Sequence, residues 1–364
     1  MKVAFVSDTH FGYRRFEKDA LQQGTNAILD ACKKADILLL GGDIFDSKNP
    51  NLNTLTHVAT LLQQAQKILP DSKSPKILAI HGTHELSSKD SINPISMMAK
   101  LGLIEDVHNK TVVMQKNDEK IAVSGLGGIP DDLVKTALTK LNCKPIGSAT
   151  NFFMFHQTLH EFVPQAKNLA STDDLPEGYD FYLCGHIHSK KEYLGGKLLI
   201  SGSTVLTQQK DEEQNKKGYF IIDTKTKTKE FIEIKTRPFI VSELNFEDAI
   251  PTQIRIKINE ELQNLLSQTH ESVPILKIKL TGSLQKGYGD LDLSGFNPKN
   301  AYLTIDNQLE GSSLLDEIQK LKGQRLSKQT PHNLGINLLK ENAKKANLDE
   351  KKAVEYFEKY SKEN

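Results

Sequence analysis

Cysteine is scarce in this 364-residue chain: there are three, Cys32, Cys143 and Cys184, far apart and odd in number. They form neither a C-x-x-C metal clip nor a disulfide framework, a usage that suits a reducing cytoplasm. Long hydrophobic runs are missing as well, and none approaches the length of a membrane span. The first strand-like stretch begins almost at Met1, which argues against a signal peptide. A cytoplasmic protein with no membrane partner is therefore the expectation. An excess of one charge is also lacking, with 47 basic against 46 acidic side chains. No global field announces a nucleic-acid partner, so any such site must be a local patch. Nor do aromatic and basic residues interleave in a way that suggests readout of base sequence. What the chain does have is length, enough to bury a large core and hold two or three domains.

Residues 36–46, A-D-I-L-L-L-G-G-D-I-F, organise the rest. The unbroken apolar run Ile37 to Leu40 predicts a strand buried on both faces. It ends in two glycines and Asp43, and reactive groups in open α/β sheets sit just beyond the carboxyl ends of such strands. Other strand ends follow the same plan. Strand 2–7 runs into Asp8-Thr9-His10, and strand 76–80 into His81-Gly82-Thr83-His84-Glu85. Strand 151–155 ends at His156, and strand 179–184 at Gly185-His186-Ile187-His188. Residues two apart in extended chain point the same way, so Asp8 with His10, and His186 with His188, could each grip one ion. Helices are predicted over 18–34, 53–69, 93–104 and 131–141. Strand-like stretches at 111–115 and 120–124 lead into a glycine-rich loop, and those at 197–201, 218–222 and 230–234, antiparallel in appearance, suggest two sheets rather than one.

Each cluster alone has a bland explanation in turn chemistry or helix capping. Taken together, Asp8, His10, Asp43, His84, His156, His186 and His188 exceed one tetrahedral ion and suit two, with Asp43 as the shared carboxylate. Two adjacent cations can activate a bridging water and hold the oxygens of an in-line phosphoryl displacement.

The motifs D-T-H, G-D-I-F-D, G-T-H-E, the lone His156 and G-H-I-H, in this order, resemble those of the calcineurin-like metallophosphoesterases. Within that superfamily the chain is similar to the SbcD-like nucleases of DNA double-strand-break repair named for meiotic recombination eleven, in their archaeal form. H-F-G-Y after the first motif, G-D-I-F-D-S-K-N-P, and I-S-G-S-T at 200–204 add to the likeness. The resemblance implies an α/β two-sheet sandwich flanked by helices, a small α+β capping domain, and a C-terminal helical hairpin. It implies that Asp8, His10, Asp43 and His188 hold one ion, and that Asp43, Thr83, His156 and His186 hold the other. The ions would be manganese, with other divalent cations allowed. His84 would act on the phosphorus or the leaving oxygen instead of ligating. Two departures stand out. Thr83 replaces the asparagine of the family's Gly-Asn-His, and Asp46 stands where several relatives carry histidine.

The expected division is a nuclease domain over 1–236, a DNA-capping domain over 237–300, a linker over 301–331 and a tail over 332–364. Strands at 239–246 and 275–281 around a helix near 252–267 carry the cap. The tail would pair a helix marked by Leu334, Leu338 and Leu339 with one marked by Phe357 and Tyr360, and Asp349 would cap the second. The resemblance gives this tail to an SMC-like, zinc-hook coiled-coil ATPase, and gives helices 53–69 and 93–102 to a homodimer. DNA ends, double- or single-stranded, are the implied substrate. Candidate phosphate contacts are the loop cations Arg14, Arg15, Lys48, Lys89, Lys190 and Lys191. Two other readings remain open on residues alone: a phosphatase or small-molecule phosphodiesterase on the same core, and a weakly catalytic DNA-end clamp.

Overall fold

The computed structural model describes residues 1–70, 76–88, 91–164, 169–285, 288 and 291–310, and then 335–336, 339–340, 342–343, 349 and 351–354. Short β-branched and aromatic runs make the strands, and helices lie between the first of them. Strand β1 (Lys2–Val6) leads to helix α1 (Glu17–Lys34), β2 (Ile37–Leu40), α2 (Leu52–Ile68), β3 (Ile77–Ala79), α3 (Pro94–Lys100) and β4 (Glu105–Asp106). These are βα units with parallel neighbours, β1 beside β2, β2 beside β3, and β3 beside β4. The helices start on local signals: the Asn51 side chain accepts from Thr54 N–H, and Asn93 accepts from Ser96 N–H with Pro94 opening the first turn.

The chain then builds a second sheet from β5 (Thr111–Lys116), β6 (Glu119–Leu126), β7 (Thr150–Phe155), β8 (Phe181–Cys184), β9 (Lys191–Tyr193) and β10 (Leu198–Ile200), with helix α4 (Val134–Thr139) between β6 and β7. It returns to the first sheet with β11 (Gly218–Asp223) and β12 (Thr228–Glu233). The orders are β12-β11-β1-β2-β3-β4 and β5-β6-β7-β8-β10-β9, six strands in each. Two sheets were expected, and of the later strands β11 and β12 are antiparallel as they looked, β11 against β1 and β12 against β11, whereas β10 is corrected by its parallel pairing with β8. In the second sheet β6, β7, β8 and β10 pair in parallel, and only its edges β5 and β9 run antiparallel. An apolar strand pattern carries no direction. The long connections 127–149 and 156–180 do, because a parallel return needs a crossover of a dozen residues or more.

The two sheets pack face to face on a core of Val3, Phe5, Leu39, Leu78, Val123, Phe152, Met154 and Leu183, each less than one per cent exposed. Helices α1 to α3 cover the outer face of the first sheet through Ala27, Ile28, Val58, Leu61 and Ile95. The outer face of the second sheet is covered by α4 and its loops, through Val134, Leu138, Leu159 and Phe162. The result is a helix-flanked α/β sandwich. Among the described residues no helix is long and apolar enough to cross a membrane.

The chain divides into two compact units, 1–240 and 241–364. The second contains a three-stranded sheet in the order β13 (Phe239–Ala249), β14 (Ile275–Leu284), β15 (Tyr302–Asn307), and helix α5 (Pro251–Ser267). Helix α5 buries Ile254, Ile258, Leu262 and Leu265, a 3.6-residue stripe. Strand β15 corrects the expectation of a linker over 301–331, since residues 302–307 pair in parallel with β14. Its sequence Y-L-T-I-D-N is too short and too polar at its end to announce a strand unaided. In the tail, residues 351–354 are helical, and Asp349 Oδ1 accepts from the N–H groups of Lys351 and Lys352 as a cap.

Leu39 lies between the sheets with no exposed surface. Leu39→Ala is expected to cost about 2–5 kcal/mol of stability through lost burial and a residual cavity. Chemical denaturation of both proteins measures it, and a loss below about 1 kcal/mol would mean that the sandwich core repacks freely.

Candidate metal centre

The carboxyl ends of β1, β2, β3, β7, β8 and β10 open at one edge of the sandwich. Main-chain bonds stitch their loops together: Asp8 N donates to Gly42 O at 3.0 Å, His10 N to Asp43 O at 3.0 Å, and Thr204 N to Asp8 O at 3.2 Å. Asp8, His10, Asp43 and His186 all have positive φ, between 47° and 77°. For residues with side chains this region costs on the order of 1–3 kcal/mol each, and it persists only where surroundings enforce it. Gly42 (φ +91°) passes so close to the second sheet that a Cβ there would fall 2.5 Å from His156 Nδ1. The left-handed turns, not the alternation of an extended chain, aim Asp8 and His10 inward. That replaces the geometric reason offered by their spacing.

Two donor sets result. Asp8, His10 and His188 bring one ligand atom each to within 4.8 Å of one another, and so do Asp43, His156 and His186. His186 and His188 thus part company, one to each set, although their spacing suggested a shared ion. Thr83 lies at the second set, its Oγ1 3.4 Å from Asp43 Oδ2 and 3.4 Å from His186 Nδ1. A third group, His10, Asp46 and His84, adjoins the first.

The hydrogen bonds behind the imidazoles decide where their lone pairs point. His156 Nδ1 donates to Gly41 O at 2.8 Å, so the Nε2 of a neutral ring is an acceptor. That Nε2 is buried and without a hydrogen-bond partner, yet it lies 3.1 Å from the carboxylate Oδ2 of Asp43. His10 Nδ1 faces the Asp46 carboxylate at 3.1 Å, and His188 Nδ1 faces Thr207 Oγ1. Their Nε2 atoms then meet each other at 3.2 Å. With both Nδ1 atoms donating, and His156 Nε2 bare beside Asp43, acceptor faces acceptor twice in a buried site, an arrangement that positive charge between them would satisfy. A nitrogen and carboxylate donor set of this composition suits a divalent cation.

Titration follows the same field. Burial, then His10, presses the imidazole of His188 down to about 2, and burial with His156 presses that of His186 to about 4, so both are neutral ligands. Burial raises Asp8 above the usual carboxylate range. Asp43 is held below that range despite its burial, chiefly by His156. Burial opposes charge on His156, but Asp43 lifts it to about 9. A proton or a cation at Nε2 answers the same demand. His84 sits at the rim with its side chain 44% exposed, and its Nδ1 is 3.0 Å from Asp46 O. The hydrogen bond to the Asp46 side chain raises it to about 9.

Three residues to which the sequence reading gave no supporting role hold this arrangement in place. Asp46 orients both His10 and His84, and Thr207 orients His188. Glu85 is fully buried and accepts from Phe45 N at 2.8 Å and Gly82 N at 2.7 Å, tying the β2 and β3 loops together. The two acidic residues of G-D-I-F-D, three apart, were the available signal for Asp46. Thr207 follows the β10 loop with no motif of its own.

Of the candidate phosphate contacts, Lys48 is exposed in a loop, whereas Arg14 and Arg15 are exposed in a short 3-10 helix (Arg14–Phe16) instead of the expected loop, and Arg15 also stacks on Phe16. Lys190 lies 4.8 Å from the centre of the Phe231 ring, and Lys191 pairs with Glu212 at 3.7 Å. Lys89 lies outside the described residues, as do Leu334, Leu338, Phe357 and Tyr360; Leu339 is helical.

Residues 1–190 match the family described as calcineurin-like phosphoesterase. The chain is 24% identical over 343 residues to the DNA double-strand break repair protein Mre11 of Methanococcus maripaludis, covering 87% of each. It is 27% identical over 308 residues to the protein of that name from Sulfolobus acidocaldarius, covering 78% of this chain and 76% of that one. The one from Sulfurisphaera tokodaii is 25% identical over 304 residues, with 77% and 73% covered.

The Thr83 backbone is packed closely against Gly128, where an added Cβ would fall 2.6 Å from Thr83 N. Its hydroxyl, 3.4 Å from both neighbours, is a weak donor to that set, so a divalent cation such as manganese is expected to bind the two sets with unequal affinities. Thr83→Asn is expected to bring them together and to lower the manganese needed for half-maximal hydrolysis, by about tenfold in affinity. Calorimetric titration of both proteins tests this. Two equally tight ions in the wild type, unchanged by the substitution, would refute it.

Proposed function

The chain belongs to the calcineurin-like phosphoesterase family, and on that footing we propose that it is a manganese-dependent nuclease that processes DNA double-strand-break ends. The observation that carries this reading is the pair of buried donor sets in which lone pairs face lone pairs. The similarity to double-strand break repair proteins supports DNA as the substrate.

In this reading Asp8, His10, Asp43 and His188 hold one divalent cation, and Asp43, Thr83, His156 and His186 the other. When bound, the pair supplies an activated water and charge to neutralise the oxygens of the scissile phosphodiester. The protein's own part is positional. Asp43 offers a carboxylate between the two sets while its Oδ1 accepts from His84 N at 2.8 Å, which fixes the loop that carries His84. His84, with Nδ1 engaged by Asp46, turns its free nitrogen to the substrate and donates to the phosphoryl or leaving oxygen. The exposed cations Arg14, Arg15 and Lys48 contact neighbouring phosphates, which position DNA without reading its sequence. The unit beyond residue 240 caps the DNA, and the tail docks on a coiled-coil ATPase. A second copy packs against α2 and α3, where Leu52 and Leu101 are 79% and 61% exposed.

Asp43→Ala is expected to abolish both metal binding and hydrolysis of duplex ends. His84→Ala should abolish hydrolysis, by about a hundredfold or more, with both ions still bound. Metal analysis beside a manganese-dependent nuclease assay reads both, and loss of metal in His84→Ala would refute its assigned role. Turnover of nucleotide monoesters but not DNA would instead make the protein a phosphatase. Metal-loaded protein that binds ends without cutting them would make it a clamp.

Ending the chain at Thr330 should leave hydrolysis intact, because no proposed ligand lies beyond His188, and should abolish co-purification with the ATPase. Wild-type affinity of the truncated protein for the ATPase would place docking elsewhere.

A further inference from the structure

Behind His188 lies a buried ion pair that the chemistry above does not use. Glu213 and Lys217 have side chains 3% and 6% exposed, 3.2 Å apart. An ion pair this deep seldom adds stability over apolar residues of the same size, since desolvation offsets attraction. Its place in the fold points to another role. Both Glu213 oxygens close the segment that follows the β10 loop: Oε2 accepts from Thr207 N at 3.0 Å, and Oε1 from Gln208 N at 2.8 Å and Thr207 Oγ1 at 3.4 Å. The Thr207 hydroxyl also meets His188 Nδ1, so it lies between the carboxylate and the imidazole, able to give its proton to the first and accept from the second. Lys217 Nζ spends its remaining donors on Ser203 Oγ at 2.8 Å and on the main-chain oxygen of His188 itself at 3.4 Å. Ser203 N reaches that same oxygen at 3.1 Å.

The imidazole and the main chain of one residue are thus gripped by the two halves of a single ion pair. Glu213 acts on the ring through Thr207, and Lys217 acts on the backbone directly. With Thr207 donating to Glu213 and accepting from His188 Nδ1, the His188 Nε2 is left bare toward Asp8 and His10. Segment 207–213 also walls a cavity of about 360 Å³ beside His188, so its closure shapes the approach to the centre.

We infer that Thr207, Glu213 and Lys217 form a positioning relay that sets the affinity of the cation held by Asp8, His10 and His188, leaving the other cation unaffected. The inference rests on the metal-centre reading of the preceding section. Thr207→Val removes only the hydroxyl and keeps the shape and the ion pair. Calorimetric titration with manganese alone is expected to show one affinity weakened tenfold or more and the other unchanged, because partners of metal-bound histidine commonly contribute 10–100-fold. Thr207→Ser should restore both, and the melting temperature of the apo protein should stay within a few degrees. Glu213→Gln, which keeps the shape but not the charge, should give the same selective loss. Two ions bound by Thr207→Val as tightly as by wild type would overturn the inference while leaving the metal centre standing. So would equal weakening of both ions together with a fall in apo melting temperature, which would mark a merely structural role. A wild type that binds no manganese would instead sink the underlying reading.

Discussion

Asp43 is where the two sheets are tied together, and the site depends on it. Its main-chain oxygen accepts from His10 N, its Oδ1 accepts from His84 N, and its Oδ2 faces His156 and Thr83. One residue at the end of β2 thereby fixes loops that follow β1, β3 and β7. Gly82 shows how little slack remains, because a Cβ there would collide with both the carboxylate and the main chain of Asp43. A buried carboxylate in such a place is tolerable only if cations surround it. The histidines that converge on it, and the ions they can hold, supply that condition.

The same economy explains why strained backbone collects here. Four residues of the two donor sets, Asp8, His10, Asp43 and His186, adopt left-handed conformations that isolated peptides avoid. Three of them are fixed through their own N–H groups: Asp8 by Gly42 O, His10 by Asp43 O, and His186 by the Asp8 carboxylate, which accepts its N–H at 3.1 Å. The conventional core of the sandwich stabilises these turns from below. Stability and site geometry are therefore different demands on one set of strands, and the apolar layer between the sheets serves both.

Around the donor sets runs a second layer of residues that hold them in place. Gly41 O orients His156, Asp46 orients His10 and His84, Thr207 orients His188, and Glu85 clamps the β2 and β3 loops. Each acts by fixing which imidazole nitrogen carries a proton, or by removing freedom from a loop. Neutral imidazole ligates only through the nitrogen left bare, so these partners control the centre as firmly as the ligands do.

Most of this was written in the chain in one sense and not in another. Apolar runs ending in Asp, His and Gly identified the strands and placed Asp8, His10, Asp43, His84, His156, His186 and His188 at their ends, because local pattern alone sets where a buried strand stops. Periodicity likewise marked α1, α2 and α5. Strand direction in the second sheet was not legible, since parallel and antiparallel strands share one apolar pattern, and β15 was too short to stand out. Nor could spacing tell that His186 and His188 part to different donor sets, or that Asp8 and His10 converge through left-handed turns. The hold of Asp46 on His10 and His84, and of Thr207 and Lys217 on His188, was equally hidden, since those contacts join residues distant along the chain. Sequence determined which chemistry arrives at the edge of the sandwich. Tertiary structure decided which atoms face each other, because that depends on how separate strand ends are packed together and on which proton each neighbour holds.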